Sequence, residues 1–230
     1  MELVVEAASF KRSSNYHTNL QRLEEALRQS RADLVAFGEV CLTGFDYDHF
    51  DEAASFAVTA HAKLLELSKV RAFGLTVIEK RDEHFFNVFK LYDRAEVVFE
   101  RTKHKLFFAG NEHLRFAQGD VSALELFEWR GWKLGVLICF EIRFADLWLE
   151  LNGAELILIP AAWDASRKKT LKALSKALAI VNRAFVLTAN SQPNTNNYLF
   201  LPSGARAKSC AAITQSAIEE IKNGIPYAAA

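Results

Sequence analysis

WKLGVLICFEIRF, residues 132–144, decides how this chain is read. An apolar, β-prone run climbs to Cys139 and gives way to a charged segment. Its length and its Val, Leu and Ile content suit a strand buried on both faces, as strands in helix-covered sheets are. That reading puts a cysteine at the carboxyl end of a strand. In open α/β sheets ligands bind beyond those ends. A cysteine there either fills a gap in the core or acts as a nucleophile, and alone it favours the core.

Working outward, similar apolar runs recur between helical patterns. ELVVEAASF (2–10), ADLVAFGE (32–39), AELILIPAA (154–162) and AFVLTANS (184–191) read as buried strands. Ser14 precedes a helix over 15–30 in which Leu20, Leu23 and Leu27 share one face. Further helices are expected at 60–72, 144–153 and 170–182. FGLTVIEK, FFNVFKLYD and EVVFERT, within 73–102, are three strands joined closely enough for hairpins. Another hairpin turns at Arg130-Gly131, its second strand ending at Cys139. Helices alternate with strands at both ends and hairpins fill the middle, so an α/β layered fold with mixed sheets is expected. Residues 1–230 read as one domain, because no repeat, low-complexity tract or Pro/Gly-rich linker divides them.

Lys plus Arg and Asp plus Glu both number 28, so no net charge draws the chain to nucleic acid or an anionic membrane. No apolar run reaches the roughly 18 residues of a membrane span. The first residues lack a basic segment followed by an apolar one, so no signal peptide is expected. The three cysteines, Cys41, Cys139 and Cys210, are far apart and form no CxxC, which suits a reduced, cytoplasmic setting. Neither GxGxxG after the first strand nor GxxxxGK[ST] occurs, so a dinucleotide or P-loop site lacks its signature.

Three reactive side chains follow strand ends: Glu39, Lys103 and Cys139. Together they make chemical sense. A thiol attacks a carbonyl or nitrile carbon as thiolate and needs a base. A buried glutamate is such a base once its pKa rises toward neutrality. The oxyanion that forms calls for a cation and for the backbone N–H after the nucleophile, here that of Phe140. Taken singly, the cysteine reads as core, the glutamate as a loop residue, and Lys103 as part of the solvated run RTKHK.

Three words carry a resemblance to the nitrilase superfamily of carbon–nitrogen hydrolases. DLVAFGEVCLTGFDY (33–47) resembles its glutamate word, ERTKHKLFFAGNEHLRFAQGD (100–120) its lysine word, and GWKLGVLICFEIRFADL (131–147) its cysteine word. ELILIPAAW (155–163) and AFVLTANS follow in order, and Asn87 matches another recurrent position. The resemblance runs over about residues 2–192. It implies an αββα sandwich that pairs into αββααββα dimers or higher homo-oligomers. It implies Cys139 as nucleophile, Glu39 as general base and Lys103 as oxyanion-stabilising cation, with Lys105 the alternative lysine. Glu112 and the Phe140 N–H would position substrate. The partner implied is a small-molecule amide, with no cofactor or metal. A dicarboxylate monoamide, an N-carbamoyl amino acid, an aliphatic amide and a nitrile all remain open as substrates.

The chain departs from the family where KALAIVNRAF (176–185) places Leu178 and Val181 at positions usually arginine and glutamate. The segment after Gln192 is short, and AIEEIKNGIPY (217–227) resembles the family's closing segment. Other readings of single features are a Cys–His enzyme using His104 or His113, a metal site at Asp46, Asp48, His49 and Asp51, and a non-catalytic scaffold keeping the fold. Arg143 is expected to pair with Glu141 or Asp146, or to reach a substrate carboxylate.

Overall fold

The computed structural model describes residues 1–120 and 124–224. Two six-stranded mixed sheets pack face to face with helices on their outer sides. The first sheet holds β1 (Glu2–Ala8), β2 (Leu34–Phe37), β3 (Ala72–Arg81), β4 (His84–Asp93), β5 (Glu96–Thr102) and β12 (Cys210–Thr214). Its order is β12-β1-β2-β3-β4-β5, with β1, β2 and β3 parallel and the rest antiparallel. The second sheet holds β6 (Phe127–Trp129), β7 (Trp132–Val136), β8 (Leu156–Ala161), β9 (Phe185–Asn190), β10 (Tyr198–Phe200) and β11 (Arg206–Ala207). There β7, β8 and β9 are parallel, and the order is β11-β10-β9-β8-β7-β6. The helices are α1 (Tyr16–Gln29), α2 (Phe50–Ser68), α3 (Ala145–Glu150), α4 (Lys168–Asn182) and α5 (Gln215–Gly224).

Strand alternation builds the layers, because successive side chains point to opposite faces. Leu34 and Ala36 of β2 turn inward to the core shared with Leu134, Val136, Leu156 and Leu158 of the second sheet. Val35 and Phe37 turn outward to Leu23 and Leu27 of α1 and Leu64 of α2. Each buried Leu or Phe contributes about 1.5–3 kcal/mol against exposure. Both faces are covered, so the strands read as continuous apolar runs rather than alternating ones.

Most expected elements are present, with informative differences. Asn15, not Ser14, caps α1, its side chain accepting from Thr18 N at 2.9 Å. The Arg130-Gly131 turn joins β6 to β7 with both residues at positive φ, 48° and 76°. That is the twist a two-residue hairpin needs. Arg130 is held there by Asp93, donating from Nε at 3.1 Å and Nη2 at 2.7 Å. β7 ends at Val136, three residues before Cys139. Leu137 and Ile138 are fully buried but lie outside the strand, so the apolar run marked burial rather than strand. After Gln192 the chain adds β10, β11 and β12, the last pairing antiparallel with β1. Residues 225–227 of the closing segment lie outside the described residues. Among the described residues no helix is long and apolar enough to cross a membrane.

Candidate active site

The expected site residues meet where the two sheets touch beyond their strand ends. Gly38 permits the approach, since a Cβ there would lie 2.2 Å from Ser191 N. The next residue, Glu39, donates its N–H to Ala161 O of the second sheet at 3.0 Å. Ser191 Oγ donates to Glu39 O at 2.8 Å. Val40 follows at φ 41° and donates to Thr76 Oγ1 at 2.7 Å, turning the chain so that Glu39 points into the interior.

Lys103, one residue past β5, is fully buried and joins two carboxylates. Its Nζ donates to Glu39 Oε1 at 2.7 Å and to Glu112 Oε1 at 2.9 Å. Asn87 Nδ2 also donates to Glu39 Oε1, at 2.8 Å. Phe107 N donates to Glu112 Oε2 at 2.8 Å. An ammonium has three protons, so one remains for a further acceptor. Burial opposes the charge on Lys103, but the charges around it, Glu39 foremost, raise its pKa and keep it protonated. Lys105 lies partly exposed, 3.5 Å from Asp146, so Lys103 is the lysine inside the site.

Glu39 Oε2 is buried and has no hydrogen-bond partner among the described residues. Burial raises the pKa of Glu39, Lys103 pulls it down, and Glu112 pushes it up again; the net direction is upward. The Cys139 thiol interacts with the same carboxylate, lowering the Glu39 pKa while Glu39 raises that of the thiol. Burial first, and then the Glu39 charge, raise the Cys139 pKa well above its ordinary value. The cysteine therefore rests as thiol beside a carboxylate inclined to take a proton.

Cys139 sits at φ 53°, in the left-handed region, and opens a 3-10 turn over Cys139–Arg143. A non-glycine residue there costs on the order of 1–2 kcal/mol, so the surroundings must hold it. Glu141 does so from within the same turn. Its carboxylate accepts from Ile138 N at 2.6 Å and from His104 N at 2.6 Å. Arg101 grips it with Nη1 at 2.6 Å and Nη2 at 2.9 Å. One buried carboxylate thus ties the Cys139 turn to the loop carrying Lys103. Burial raises the pKa of Glu141, but Arg101 and the backbone donors outweigh it and hold the carboxyl below the ordinary 4.5.

The sign follows. A depressed carboxyl contributes stability that is complete above its unfolded pKa and lost as pH falls through its folded pKa. Glu141→Gln should therefore lower unfolding free energy by about 3–5 kcal/mol at neutral pH, because Arg101 is left buried without its counter-charge. The loss should shrink below about pH 4. Urea denaturation across pH measures this, and an unchanged midpoint at pH 7 would contradict it.

A cavity of about 200 Å³ opens onto this group. Cys139, Glu39 and Glu112 line it. Tyr47, Phe107, Phe140 and Trp163 are among its aromatic walls. Phe140 is the second residue of the 3-10 turn, where a backbone N–H has no helical acceptor. Ala162 N donates to Cys139 Sγ at 3.4 Å. Lys103 lies behind the carboxylates and does not line the cavity.

Other expectations are corrected. Arg143 pairs with neither Glu141 nor Asp146. Glu141 is taken by Arg101, Asp146 by Lys105, and Arg143 lies exposed 4.9 Å from the Trp163 ring centroid. Among the described residues no His/Cys/Asp/Glu group is arranged to hold a metal. Asp46 instead accepts from Tyr16 Oη at 2.6 Å and pairs with His49, while Asp51 pairs with Lys80. His104 Nδ1 contacts Gly119 O at 2.8 Å and His113 stacks on Phe108, so neither serves Cys139 as a base. Sequence reasoning missed Arg101, Glu141, Ala162 and Arg167 as parts of the site. Only Glu141, two residues after Cys139 in a buried word, offered a local signal.

A family model for carbon–nitrogen hydrolases matches residues 4–218. The omega-amidase YafV of Escherichia coli K12 is 35% identical over 111 residues, 48% of this chain and 43% of that protein. The 2-oxoglutaramate amidase of Bacillus subtilis 168 is 30% identical over 167 residues, 69% of this chain and 63% of its own. The aligned stretches thus span less than two thirds of either relative. The crystal structure of XC1258 from Xanthomonas campestris superposes with a TM-score of 0.86 at 23% identity, covering 98% of this chain and 96% of its own.

Proposed function

The chain belongs to the carbon–nitrogen hydrolase family, and on that premise we propose that it hydrolyses a small-molecule amide through a thioester on Cys139. The observation that carries this reading is the buried Glu39–Lys103–Glu112 cluster beside a cysteine held at φ 53° on a cavity wall. The names of the two relatives, an omega-amidase and a 2-oxoglutaramate amidase, favour an amide over a nitrile or a carbamoyl group.

The sequence of events follows from the proton inventory. Cys139 rests as thiol, so its proton passes to Glu39 as sulfur attacks the amide carbon. The carbonyl oxygen becomes an oxyanion, met by the Phe140 N–H and stabilised through space by the charge of the Lys103 ammonium behind the carboxylates. Glu39 returns the proton to the departing nitrogen; the C–N bond breaks, ammonia leaves and the acyl thioester remains. Water then gives a proton to Glu39 and its oxygen to the carbonyl carbon. The C–S bond breaks, and the proton goes back to sulfur. Glu112 carries no proton in either stage; it fixes Lys103 and the Phe107 backbone.

The same reading includes a homodimer formed through the outer helices of the second sheet, where Leu149, Ile180 and Val181 are exposed apolar residues. Leu178, also a departure from the family word, faces the core and does not contribute.

Ammonia release from a panel of short amides tests the reaction. The base must be ionised to accept the proton, so kcat/KM should fall on the acid side through a pKa above the ordinary 4.5 of a glutamate. Glu39→Gln should remove that acid limb and lower kcat/KM by about 10²- to 10⁴-fold. Undiminished turnover in Glu39→Gln would exclude Glu39 as the base.

A further inference from the structure

We propose that Asn87 is a positioning residue for the general base. With Lys103 it occupies Oε1 of Glu39, and so leaves Oε2 as the oxygen that takes the Cys139 proton. This rests on the amide-hydrolase reading above and adds how its base is held.

An asparagine at this place is a cost to the fold. Asparagine is depleted in strands, and residue 87 lies inside β4. Side chains alternate along a strand, so Asn87 shares its face with Phe89 and Leu91. Both belong to the core between the sheets. Asn87 is itself fully buried. Its Nδ2 donates to Glu39 Oε1 at 2.8 Å. Among the described residues its Oδ1 has no partner. A buried amide left half satisfied is unfavourable, and an apolar residue would suit the face better. What Asn87 contributes therefore falls on Glu39.

Two donors divide the roles of the two carboxylate oxygens. Each oxygen has two lone pairs. Those of Oε1 are met by Lys103 Nζ at 2.7 Å and by Asn87 Nδ2 at 2.8 Å. Oε2 is buried with no partner among the described residues. A proton offered to Glu39 thus finds its vacancy at Oε2. The amide is fixed in this sense, because turning it over would set Oδ1 against a carboxylate oxygen. The same residue holds the lysine, whose backbone N donates to Asn87 O at 2.8 Å. Glu39 and Cys139 line the cavity, whereas Asn87 and Lys103 do not. Asn87 therefore acts through Glu39 and touches no substrate.

The sign of the effect follows. A hydrogen bond donated to a carboxylate favours its ionised form. Without that donor Glu39 holds its proton to higher pH. The ionisable groups acting on Glu39 are Lys103, Glu112 and Cys139, and Tyr47 also feels its charge. All four stay in place in the variants below.

Asn87→Val removes the donor and suits a strand. Asn87→Asp keeps the shape and, once ionised, donates nothing. In Asn87→Val the acid limb of kcat/KM for a short amide should move up by roughly 1–2 pH units, the worth of a hydrogen bond to a charged group. Asn87→Asp should move it at least as far, since a second anion pushes the same way. Below the limb this is a loss of about 10- to 100-fold, and most of the rate returns at high pH. Damage to the fold alone would lower the rate at every pH and leave the limb in place, and that result overturns the proposal. Circular dichroism identifies the variants that fold, and either one decides. If neither folds, Asn87 serves the fold and the proposal fails. Alkylation of Cys139 by iodoacetamide gives the same limb without turnover, with peptide mass separating it from the exposed Cys210. If wild type hydrolyses no amide but its alkylation limb moves up in Asn87→Val, the amidase reading fails and Asn87 keeps its role. If amides are hydrolysed and neither limb moves, the amidase reading stands and the role of Asn87 is overturned. A wild type with neither turnover nor alkylation at Cys139 rejects both.

Discussion

Cys139→Ala abolishes amide hydrolysis, with turnover falling at least about 10⁴-fold, the scale on which covalent enzymes lose activity when their nucleophile is removed. The remaining charges cannot replace sulfur, because they stabilise an oxyanion that no longer forms. The fold should survive. Cys139 is small, and alanine keeps the Cβ that φ 53° already accommodates. The turn is held by Glu141 through Ile138 N and Arg101, not by the thiol. A stability change of about 1 kcal/mol or less is expected. Ammonia release and thermal unfolding on the same preparation check both halves. Loss of activity together with loss of fold would say nothing for catalysis, so Cys139→Ser serves as the second variant: it keeps the shape and a polar donor, yet should remain nearly inactive because serine is the weaker nucleophile beside this base.

Lys103→Met carries the second large effect, on activity and on stability together. The variant leaves Glu39 and Glu112 buried with no cation between them. Breaking a buried pair in this way costs about 3–5 kcal/mol at neutral pH. The pH dependence identifies the cause. Without the ammonium no cation opposes the burial that raises Glu39, so its folded pKa stands further above its unfolded one. Its contribution is then present below the unfolded pKa and lost as pH rises through the folded pKa. Melting temperature in Lys103→Met should therefore rise as pH is lowered from about 8 to 5, toward that of wild type. Lys105→Met should show neither effect, since its ammonium lies outside, 3.5 Å from Asp146. A Lys103→Met protein that is as stable as wild type at pH 8 would contradict the cluster's electrostatics.

That Glu39, Lys103 and Cys139 come together was legible in the sequence because each follows its own apolar strand word. Glu39 lies two residues past β2 and Lys103 one past β5. Strand ends converge at a sheet's rim, so order along the chain translates into proximity. What was not legible depends on contacts between distant segments. Arg101 and Glu141 are 40 positions apart, and nothing local says that Arg101 rather than Arg143 takes the carboxylate. The 3-10 turn decides it by leaving Arg143 exposed beside Trp163 while Glu141 points inward. Cys139 was placed at a strand end because Leu137 and Ile138 are apolar, whereas the strand ends at Val136 and Leu137 N makes one further bond, to Leu158 O at 3.1 Å. Burial and strand pairing leave the same signature in composition. Arg167 lies in a basic stretch between β8 and α4 that reads as solvated surface, and its place over Phe107 depends on a loop 60 residues earlier in the chain. The edge strand β12, CAAIT, is short and does not alternate in polarity although Ala211 and Ile213 face the core, so its pairing with β1 left no mark in the pattern.

The central claim is that the chemistry passes through sulfur. Wild-type protein mixed with succinamate or a comparable short amide, acid-quenched within the first turnovers, can be weighed intact and then mapped by peptide mass. The account predicts added mass equal to the acyl group without its nitrogen, on the peptide containing Cys139 and absent in Cys139→Ala. Ammonia release from wild type with no acyl group on Cys139 at any quench time, when hydroxylamine also traps none, would contradict it.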